Sequence, residues 1–258
     1  MHVHVVLAHP EANSFNAHLA NVARDTLEGQ GASVTVSDLY SMNFDPCERA
    51  AHYSSPQDQS RFDVQSEQRH ASAVGTVPAE VAEEIARLEQ ADLLILQYPM
   101  WWHLPPAMLK GWLDRVFIYG DVYTSKKRFE NGRFSGKRAI LSVTVGTSEA
   151  TYAFNGRSGD IDLLLWPVNF SLAYVGYRVL KPFVAYGVEA GLRYSDAAQV
   201  EARLKGIERA WTEQLAGIDG AERLDFNAMA DWGADGRIKP DAPVFSPFVR
   251  RKPQLALE

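Results

Sequence analysis

One stretch, residues 91–117, constrains the fold more than any other part of the chain; it reads ADLLILQYPMWWHLPPAMLKGWLDRVF. Residues 93–96 are a continuous apolar run that closes at Pro99, which predicts a strand buried on both faces and ending in a loop. Two prolines then open a predicted helix over residues 107–117, because proline lacks an N–H that the first helical turn leaves unpaired anyway. A buried strand that leads into a helix is a building unit of parallel α/β sheets.

The loop between this strand and this helix is rich in large, flat side chains. It places Met100, Trp101, Trp102 and His103 in a row, whereas such a loop usually holds about two to six small or polar residues. Wide aromatic side chains at the carboxyl end of a parallel strand suit a planar ligand. In the helix that follows, the apolar stripe is Leu109, Trp112, Leu113 and Val116, and Lys110, Asp114 and Arg115 lie mostly off it.

Strand and helix patterns alternate along the first 215 residues. The other predicted strands cover residues 2–8, 33–39, 137–144 and 177–186. The other predicted helices cover residues 15–27, 78–90, 161–174 and 196–215, with a cap near Ser195 for the last. The pattern predicts a doubly wound, five-stranded parallel sheet with helices on both faces, in which Pro182 puts the last strand at an edge. We expect one domain over residues 1–215 and an irregular tail over residues 216–258 that packs on it or on a partner subunit.

Residues 40–77 show no regular pattern and few apolar positions. A structureless loop of this length inside a compact domain is uncommon unless it binds something, a partner subunit included. The alternative is a partly disordered surface excursion.

Charge and cysteine content narrow the classes of function. The net charge is -6 and no basic stripe interleaves with aromatic residues, so nucleic acid is not an expected partner. The single cysteine, Cys47, excludes an internal disulfide and fits a reducing compartment. No run approaches the roughly 18 apolar residues of a membrane span, and the start of the chain lacks a cationic segment and a cleavage site. We expect a cytoplasmic protein without direct membrane insertion.

The loop after the first strand has the features of a phosphate site. Residues 9–17 contain His, Ser and Asn, and Ser14 has the side chain of a helix N-cap. The unpaired amides and positive dipole of a helix N-terminus attract anions. A plain cap fits this segment equally well, because the chain has neither a G-x-G-x-x-G fingerprint nor a Walker lysine here. His2 and His4 share a strand face without a third ligand, so no metal site is predicted.

Two later segments add to the same edge of the sheet. Residues 120–136 are basic and could attract the phosphates of an anionic cosubstrate, or could form a solvated loop. Residues 144–152 hold Gly146 and small hydroxylated residues, which permit close approach of backbone amides to a ligand. In doubly wound sheets the ligand lies outside the carboxyl ends of the strands. Phosphate-binding amides, an aromatic shelf and donors along a ring edge together describe a flavin site.

With these motifs the sequence closely resembles the flavodoxin-fold NAD(P)H:quinone reductases, the DT-diaphorase family. The matching segments are VLAHPEANSFNAHL, SDLYSMNFDP, EQADLLILQYPMWWHLPPAMLKGWLDRVF, AILSVTVG and NGRSGDIDLLLWP, in family order across residues 3 to about 215. The resemblance implies a flavodoxin-like fold and a homodimer with its active sites at the interface. It favours FAD over FMN, and it implies ping-pong, two-electron (hydride) reduction of small quinones by NAD(P)H.

The resemblance also implies roles for particular residues. The diphosphate and ribityl portion of FAD would be held by His9, Ser14, Phe15, Asn16 and Ala17. The ring would be flanked by Pro99, Met100, Trp101, Trp102 and His103 and bonded at its edge by Thr144, Val145, Gly146 and Thr147. Asp63 falls in a segment that reaches the other subunit's flavin, and Arg203 falls near an adenine-side residue. The substrate pocket would include Trp102, His103, Tyr123, Ser125 and Tyr174.

Two departures from the family pattern affect the implied chemistry. The family uses a tyrosine, matched by Tyr152, and a histidine six residues later, where this chain has Ser158, to stabilise charge on the reduced ring. Serine donates one hydrogen bond but cannot hold a positive charge near neutral pH, so we expect Tyr152 and the amides near Gly146 to carry this role. His103 replaces a usual aromatic residue and either gives a proton to the reduced quinone or only stacks. Ser125 replaces a tyrosine at the pocket mouth, so substrate preference could differ.

Other functions fit the residues less well. The GRSG sequence at residues 156–159 is not a nucleophile elbow, since G-x-S-x-G needs a glycine two residues after the serine. A one-electron flavodoxin carrier does not account for residues 40–77 or the tail. The alternatives that remain are an ancillary regulatory flavoprotein of an ion-efflux transporter and an FMN-dependent azo or nitro reductase. The sequence does not choose between NADH and NADPH.

Overall fold

A parallel β-sheet forms the centre of the protein, here in a computed structural model that describes residues 1–189, 196–246 and 248–251. The strands of the described chain are β1 (His2–Leu7), β2 (Ser33–Asp38), β3 (Leu93–Pro99), β4 (Arg138–Thr144), β5 (Arg178–Val179) and β6 (Phe183–Ala185). Its α-helices are α1 (Phe15–Gly29), α2 (Val64–Val74), α3 (Ala79–Gln90), α4 (Ala107–Val116), α5 (Ile161–Tyr174) and α6 (Ala197–Ala216).

The strand order is β2-β1-β3-β4-β5, and every ladder is parallel. This order reverses direction beside β1, as in a doubly wound sheet, and confirms the predicted fold class. β6 pairs with the carboxyl half of β4 through Thr144 and Ala185, so β5 and β6 are two parts of one edge strand. The interruption contains Pro182, which has no N–H to donate to a ladder.

Helices cover both faces of the sheet. One apolar core packs α3, α4 and α5 against one face, and a second packs α1 and α6 against the other. All seven residues of β3 are buried, because this central strand is covered on both sides. Pro167 lies inside α5, which nevertheless continues to Tyr174.

The segment over residues 40–77 is more ordered than its composition suggested. It contains α2, which begins at an Asp63 cap that accepts the Ser66 amide at 2.9 Å and ends at Gly75 in the left-handed region, φ 74°. Glu67 and Gln68 are buried, so polar side chains rather than apolar ones fix this helix to its neighbours. A helix whose contacts are hydrogen bonds gives little hydrophobic periodicity.

One further expectation, the position of Arg115, needs correction, and the cap of α6 lies next to the predicted place. Arg115, placed mostly off the apolar stripe of α4, is only 1% exposed, and its guanidinium donates to the Asp45 carbonyl at 2.8 Å and to Glu80 at 2.5 Å. Burial of this charge is possible because it is paired. Helix α6 is capped by Asp196, whose carboxylate accepts the amides of residues 198 and 199; the predicted cap, Ser195, lies outside the described residues.

The described residues after α6, 217–246 and 248–251, are irregular apart from two short 3₁₀ turns, Ile218–Gly220 and Met229–Asp231. It runs along the edge strand, where Leu224 donates its amide to the Val179 carbonyl at 2.9 Å. Its Phe226 and Phe248 rings pack on the aromatic side chains of α5. None of the helices in the described ranges is long and apolar enough to cross a membrane.

A closed network of polar side chains is buried between β1, β2, α3 and α4. Glu84, 0% exposed, accepts hydrogen bonds from Ser37 and from the Trp112 indole, both at 2.8 Å, and it pairs with Arg87. His4 lies 3.8 Å from the same carboxylate and bonds to Thr35 and Ser37. Burial raises the pKa of Glu84, but His4 and the hydrogen bonds from Ser37 and Trp112 outweigh burial and hold that pKa below its usual value.

Candidate functional site

The amino end of α1 meets the carboxyl edge of the sheet. Ser14 caps the helix by accepting the Ala17 amide at 3.2 Å. Within the described residues, the amides of Phe15 and Asn16 donate to no protein group, and the first turn contains no acidic side chain. These free amides and the helix dipole make this position suitable for an anion. His9 lies beside it, with its ring 6.0 Å from that of Trp101.

A buried chain of side-chain amides and a hydroxyl links three elements at this edge. Asn16 of α1, 3% exposed, donates from Nδ2 to Thr144 Oγ1 at 2.9 Å, and its Oδ1 accepts Gln97 Nε2 at 2.9 Å. Gln97 Oε1 is buried and has no hydrogen-bond partner among the residues that the structure describes. An unsatisfied buried oxygen costs free energy, about 1–3 kcal/mol, unless a ligand or water supplies the donor.

The aromatic loop after β3 is a tight turn in a strained backbone conformation. Trp101 and Leu104 exchange both backbone hydrogen bonds, at 3.0 and 3.1 Å. Between them, Trp102 (φ 51°) and His103 (φ 64°) both have positive φ, as in a type I′ turn, although neither is glycine. Such residues cost about 1–3 kcal/mol each and cluster where ligands bind. The turn exposes 92% of Trp102 and 42% of Trp101.

The loop after β4 presents unpaired amides next to this turn. Met100 donates its amide to the Thr144 carbonyl at 2.9 Å, which brings the two loops together. In the described chain, the amides of Gly146 and Thr147 donate to no other group. A side chain added at Gly146 would meet only the Val188 carbonyl oxygen, at 3.9 Å. The space above Gly146 is therefore open for a ligand to contact the backbone.

Tyr152 ends the short 3₁₀ turn Glu149–Tyr152, and its hydroxyl makes no hydrogen bond within the described residues. Its ring lies 6.3 Å from that of Tyr186, which directly follows β6. Burial and then the charge of Glu149 raise the pKa of Tyr186 to about 12. Ser158 is half-buried, and its amide donates to the Thr151 carbonyl at 2.9 Å, which draws it back to the same loop.

Arg203 of α6 reaches the loop that follows β6. Its Nε lies 3.1 Å from the position that a Cβ atom would have at residue 187, and Gly187 has φ 71°. The Gly187 amide donates to the Thr147 carbonyl. Arg203 therefore lies next to a residue that is hydrogen-bonded to the loop after β4. Glu189 is its nearest carboxylate, at 3.6 Å.

A groove of about 770 Å³ starts where the aromatic turn ends. Leu104 and Pro105 form its beginning, and residues of α2, α4 and α5 form its walls together with Tyr123. Tyr123 and Tyr174 both line the groove, with ring centroids 5.7 Å apart. Ser125 is exposed beside them and lines no part of the groove.

The structure thus divides the predicted site residues into two groups. The edge group, around the ends of β3 and β4, is made of His9, Ser14, Phe15, Asn16, Ala17, Pro99, Met100, Trp101, Trp102, His103, Thr144, Val145, Gly146, Thr147, Tyr152 and Ser158. The groove group consists of Tyr123 and Tyr174, and Asp63 lies next to it because it caps α2, whose Val64 and Gln65 line the groove.

Two residues that the sequence reasoning missed belong to the edge. Gln97 is a polar residue inside an apolar strand, and that contrast was a usable signal. Tyr186 follows the edge strand and precedes Gly187, a weaker signal because tyrosine also suits a strand. Both stand directly beside residues that were predicted.

Comparisons with known proteins show the family and the fold of this chain. A family model described as flavodoxin-like fold matches residues 1–211. The NAD(P)H dehydrogenase (quinone) 1 of Cavia porcellus is 38% identical over 231 residues, which cover 88% of this chain and 83% of that protein. Ribosyldihydronicotinamide dehydrogenase (quinone) of Homo sapiens is 36% identical over 236 residues, covering 89% of this chain and 96% of that protein. A solved Klebsiella pneumoniae protein, described as a candidate quinone reductase, superposes with a TM-score of 0.83 at 32% identity, covering 93% of this chain and 94% of that one.

Proposed function

This chain belongs to the flavodoxin-like fold family, with the quinone dehydrogenases that it matches over most of its length, and from that premise we propose that it is an NAD(P)H:quinone oxidoreductase. The proposed reaction is a flavin-dependent, two-electron reduction of quinones, with cosubstrate and acceptor using the same face of the site in turn. FAD is the proposed flavin.

The observation that carries the proposal is the set of unpaired groups at one edge of the sheet. Free amides at Gly146 and Thr147 and the exposed indole of Trp102 follow the carboxyl ends of β4 and β3, and the buried Oε1 of Gln97 in β3 lacks a donor within the described residues. A flavin ring is flat, with donors and acceptors along its rim, so these residues fit it in shape and in hydrogen-bonding capacity. The free amides at the start of α1 fit its phosphates in charge.

The residue roles follow from this fit. We propose that His9, Ser14, Phe15, Asn16 and Ala17 hold the phosphate and ribityl end, with Arg203 on the adenine side. Pro99, Met100, Trp101, Trp102 and His103 flank the ring, and Thr144, Val145, Gly146, Thr147 and Tyr152 bond its edge. Asp63 serves a second subunit's site. Tyr123, Ser125 and Tyr174 belong to the acceptor side.

A bound flavin would supply hydride transfer from NAD(P)H to the quinone, and the residues named above would hold it. The Tyr152 hydroxyl, which has no partner in the described chain, is positioned to donate to the ring edge where negative charge develops. The Gly146 and Thr147 amides donate along the same edge. Ser158 adds a neutral hydrogen-bond donor only, and we propose that the His103 imidazole gives a proton to the reduced quinone.

We propose a cytoplasmic homodimer. Helix α5 is apolar on nearly all sides, and its Leu163, Leu164, Trp166 and Phe170 remain partly exposed. A helix that is apolar all round requires cover on more than one side, and a second copy of the chain would provide it. Sedimentation equilibrium of the purified protein tests this: a monomer at micromolar concentration would contradict the proposal.

The proposed activity is tested by an absorption spectrum of the purified protein, chromatography of the cofactor released on denaturation, and steady-state reduction of menadione by NADH and NADPH. We expect a yellow protein that releases FAD. A protein that takes up neither FAD nor FMN would refute the flavin site, and a flavin-loaded protein without quinone turnover would refute the reaction.

A further inference from the structure

The loop after β4 contains two threonine hydroxyls in direct contact, those of Thr147 and Thr151. Their Oγ1 atoms lie 2.6 Å apart. The Thr151 Oγ1 also lies 2.8 Å from the Ser148 carbonyl oxygen, to which the Thr151 amide donates at 3.1 Å. Thr151 is half-buried and Thr147 is exposed, so this pair of hydroxyls connects the inside of the loop with its surface.

The direction of these two hydrogen bonds follows from the number of protons. A carbonyl oxygen only accepts, so Thr151 gives its single hydroxyl proton to the Ser148 carbonyl. The contact between the two hydroxyls is then a hydrogen bond only if Thr147 donates and Thr151 accepts. The proton of the Thr147 hydroxyl is therefore engaged inside the loop, and only the lone pairs of its oxygen remain for a ligand.

The backbone of Thr147 is also fixed. Its carbonyl oxygen accepts the Gly187 amide at 2.9 Å, which ties the loop after β4 to the chain after β6. Within the described residues, the amides of Gly146 and Thr147 have no acceptor. Two adjacent residues thus present two amide donors and one hydroxyl oxygen that can only accept.

Thr151 also holds other members of the edge group, although the sequence assigned it no role. Its carbonyl oxygen accepts the Ser158 amide at 2.9 Å, and the same carbonyl leaves no room for a Cβ atom at Gly156. Tyr152 follows Thr151 directly in the chain. The hydrogen bonds of Thr151 therefore fix the loop on both sides of Tyr152.

Two donors beside one acceptor suit the edge of a cyclic imide. An imide presents one N–H between two carbonyl oxygens, so it needs one acceptor with donors next to it. An oxidised flavin ring has one ring N–H, at N3, and this N–H belongs to such an imide. A hydroxyl whose proton is already engaged accepts this N–H without first turning its own proton away, which is a form of preorganisation.

We propose that Thr151 is a positioning residue that makes the Thr147 hydroxyl an acceptor for the N3–H group of the flavin ring. The inference rests on the proposed flavin site and adds a residue that acts through Thr147. Removal of the Thr151 hydroxyl releases the proton of Thr147, and the Thr147 hydroxyl must then be reoriented each time the ring binds.

Equilibrium binding of two cofactors to the apoprotein tests this role without turnover. The probes are FAD and 3-methyl-FAD, which has a methyl group in place of the N3 proton, and binding is followed by flavin fluorescence. We expect Thr151→Val to weaken FAD binding about fivefold and 3-methyl-FAD binding less than about twofold. Thr151→Ser keeps the hydroxyl and should recover most of the FAD affinity.

A double-mutant cycle shows whether Thr151 acts through Thr147. Thr147→Val should itself weaken FAD binding about fivefold. Adding Thr151→Val to it should weaken binding less than about twofold further, because the hydroxyl that Thr151 orients is then absent. The cycle uses FAD alone, so it decides the question even where the methyl group of 3-methyl-FAD prevents binding.

The matched control is Thr212→Val. It removes a half-buried threonine hydroxyl that donates to a backbone carbonyl, that of Glu208 at 3.0 Å, within α6. The hydrogen bond is of the same kind as that of Thr151 with Ser148, but Thr212 lies outside the loop after β4. This variant should change the affinity for neither cofactor.

Two results would overturn the proposal. An equal loss for FAD and 3-methyl-FAD in Thr151→Val would show that Thr151 only keeps the loop folded. Additive losses in the double mutant would show that it acts independently of Thr147. A wild type that binds FAD but reduces no quinone would refute the proposed reaction alone, whereas a wild type that binds no FAD would refute the flavin site and this inference together.

Discussion

The protein buries two polar networks against the same sheet, and they differ in whether the chain satisfies them. Around Glu84 every oxygen has a partner from Ser37, Trp112 or Arg87. Around Asn16 the network is incomplete: within the described residues Gln97 Oε1 has no donor, and the amides of Gly146 and Thr147 have no acceptor. Buried polar groups are normally satisfied, so folding alone explains the first network, whereas the second leaves polar groups that a ligand or water can satisfy.

The largest effect is expected in the closed network. Glu84→Ala leaves the Trp112 indole, Ser37 and the Arg87 guanidinium without their shared acceptor, and it should lower the free energy of unfolding by about 3–5 kcal/mol, measured by urea denaturation. Glu83→Ala is the control, because Glu83 also faces Arg87, at 3.7 Å, but is exposed. This variant should lower the free energy of unfolding by less than about 0.5 kcal/mol. If the two variants lost the same free energy of unfolding, Glu84 would not be the shared acceptor of a closed network.

In the edge group, the Tyr152 hydroxyl can be removed without loss of stability. Tyr152→Phe deletes a hydroxyl that makes no hydrogen bond in the described chain, so the free energy of unfolding should stay within about 0.5 kcal/mol. Quinone turnover should fall about a hundredfold, which is ~2.7 kcal/mol of barrier. A variant with full turnover would show that this hydroxyl does not stabilise charge at the ring edge.

Asn16→Ala should have a smaller effect, which should appear in the stability of the protein and in its response to FAD. Thr144 and Gln97 each lose a partner, which should cost about 1–2 kcal/mol of stability without flavin. Added FAD should then raise the Tm of the variant less than that of the wild type, because stabilisation by a ligand falls as its Kd rises, with the logarithm of 1 + [L]/Kd. Asn13→Ala, in the exposed loop before the helix, is the control. An unchanged FAD response would separate this network from the cofactor.

The smallest expected effect is the change with pH in the stability that Glu84 contributes. The pKa of Glu84 in the folded protein lies below its usual value of about 4.5, so its contribution to stability is complete above that value and is lost as the pH falls through the folded pKa. Glu84→Gln should therefore be less stable than the wild type at pH 7, with a difference that narrows below about pH 4. A constant difference between pH 7 and pH 3 would contradict the assigned charge.

The sequence predicted the parts of the fold that carry strong periodicity. The five strands of the doubly wound sheet and five of the helices follow from apolar runs and caps. The order of the strands comes from the structure. Helix α2 and the burial of Arg115 were not predictable in this way. Both depend on polar contacts between residues distant in sequence, such as Gln68 with Asp114, which leave no apolar pattern.

For the candidate site, the sequence located the loops but not their conformation. The positive φ angles of Trp102 and His103 had no signal, because bulky residues rarely adopt them. The residues of the edge group were named through a family resemblance, whereas Gln97 and the pairing of Thr147 with Thr151 emerge only from the three-dimensional arrangement.

The edge strand of the sheet is short, broken at Pro182 and flanked by residues 222–224, which bond to Lys181 and Val179. A bare flank of this kind would be a template on which another molecule could extend the sheet. Residues 222–224 cover this edge of the sheet. They therefore prevent another chain from pairing with the edge strand and extending the sheet into a fibril.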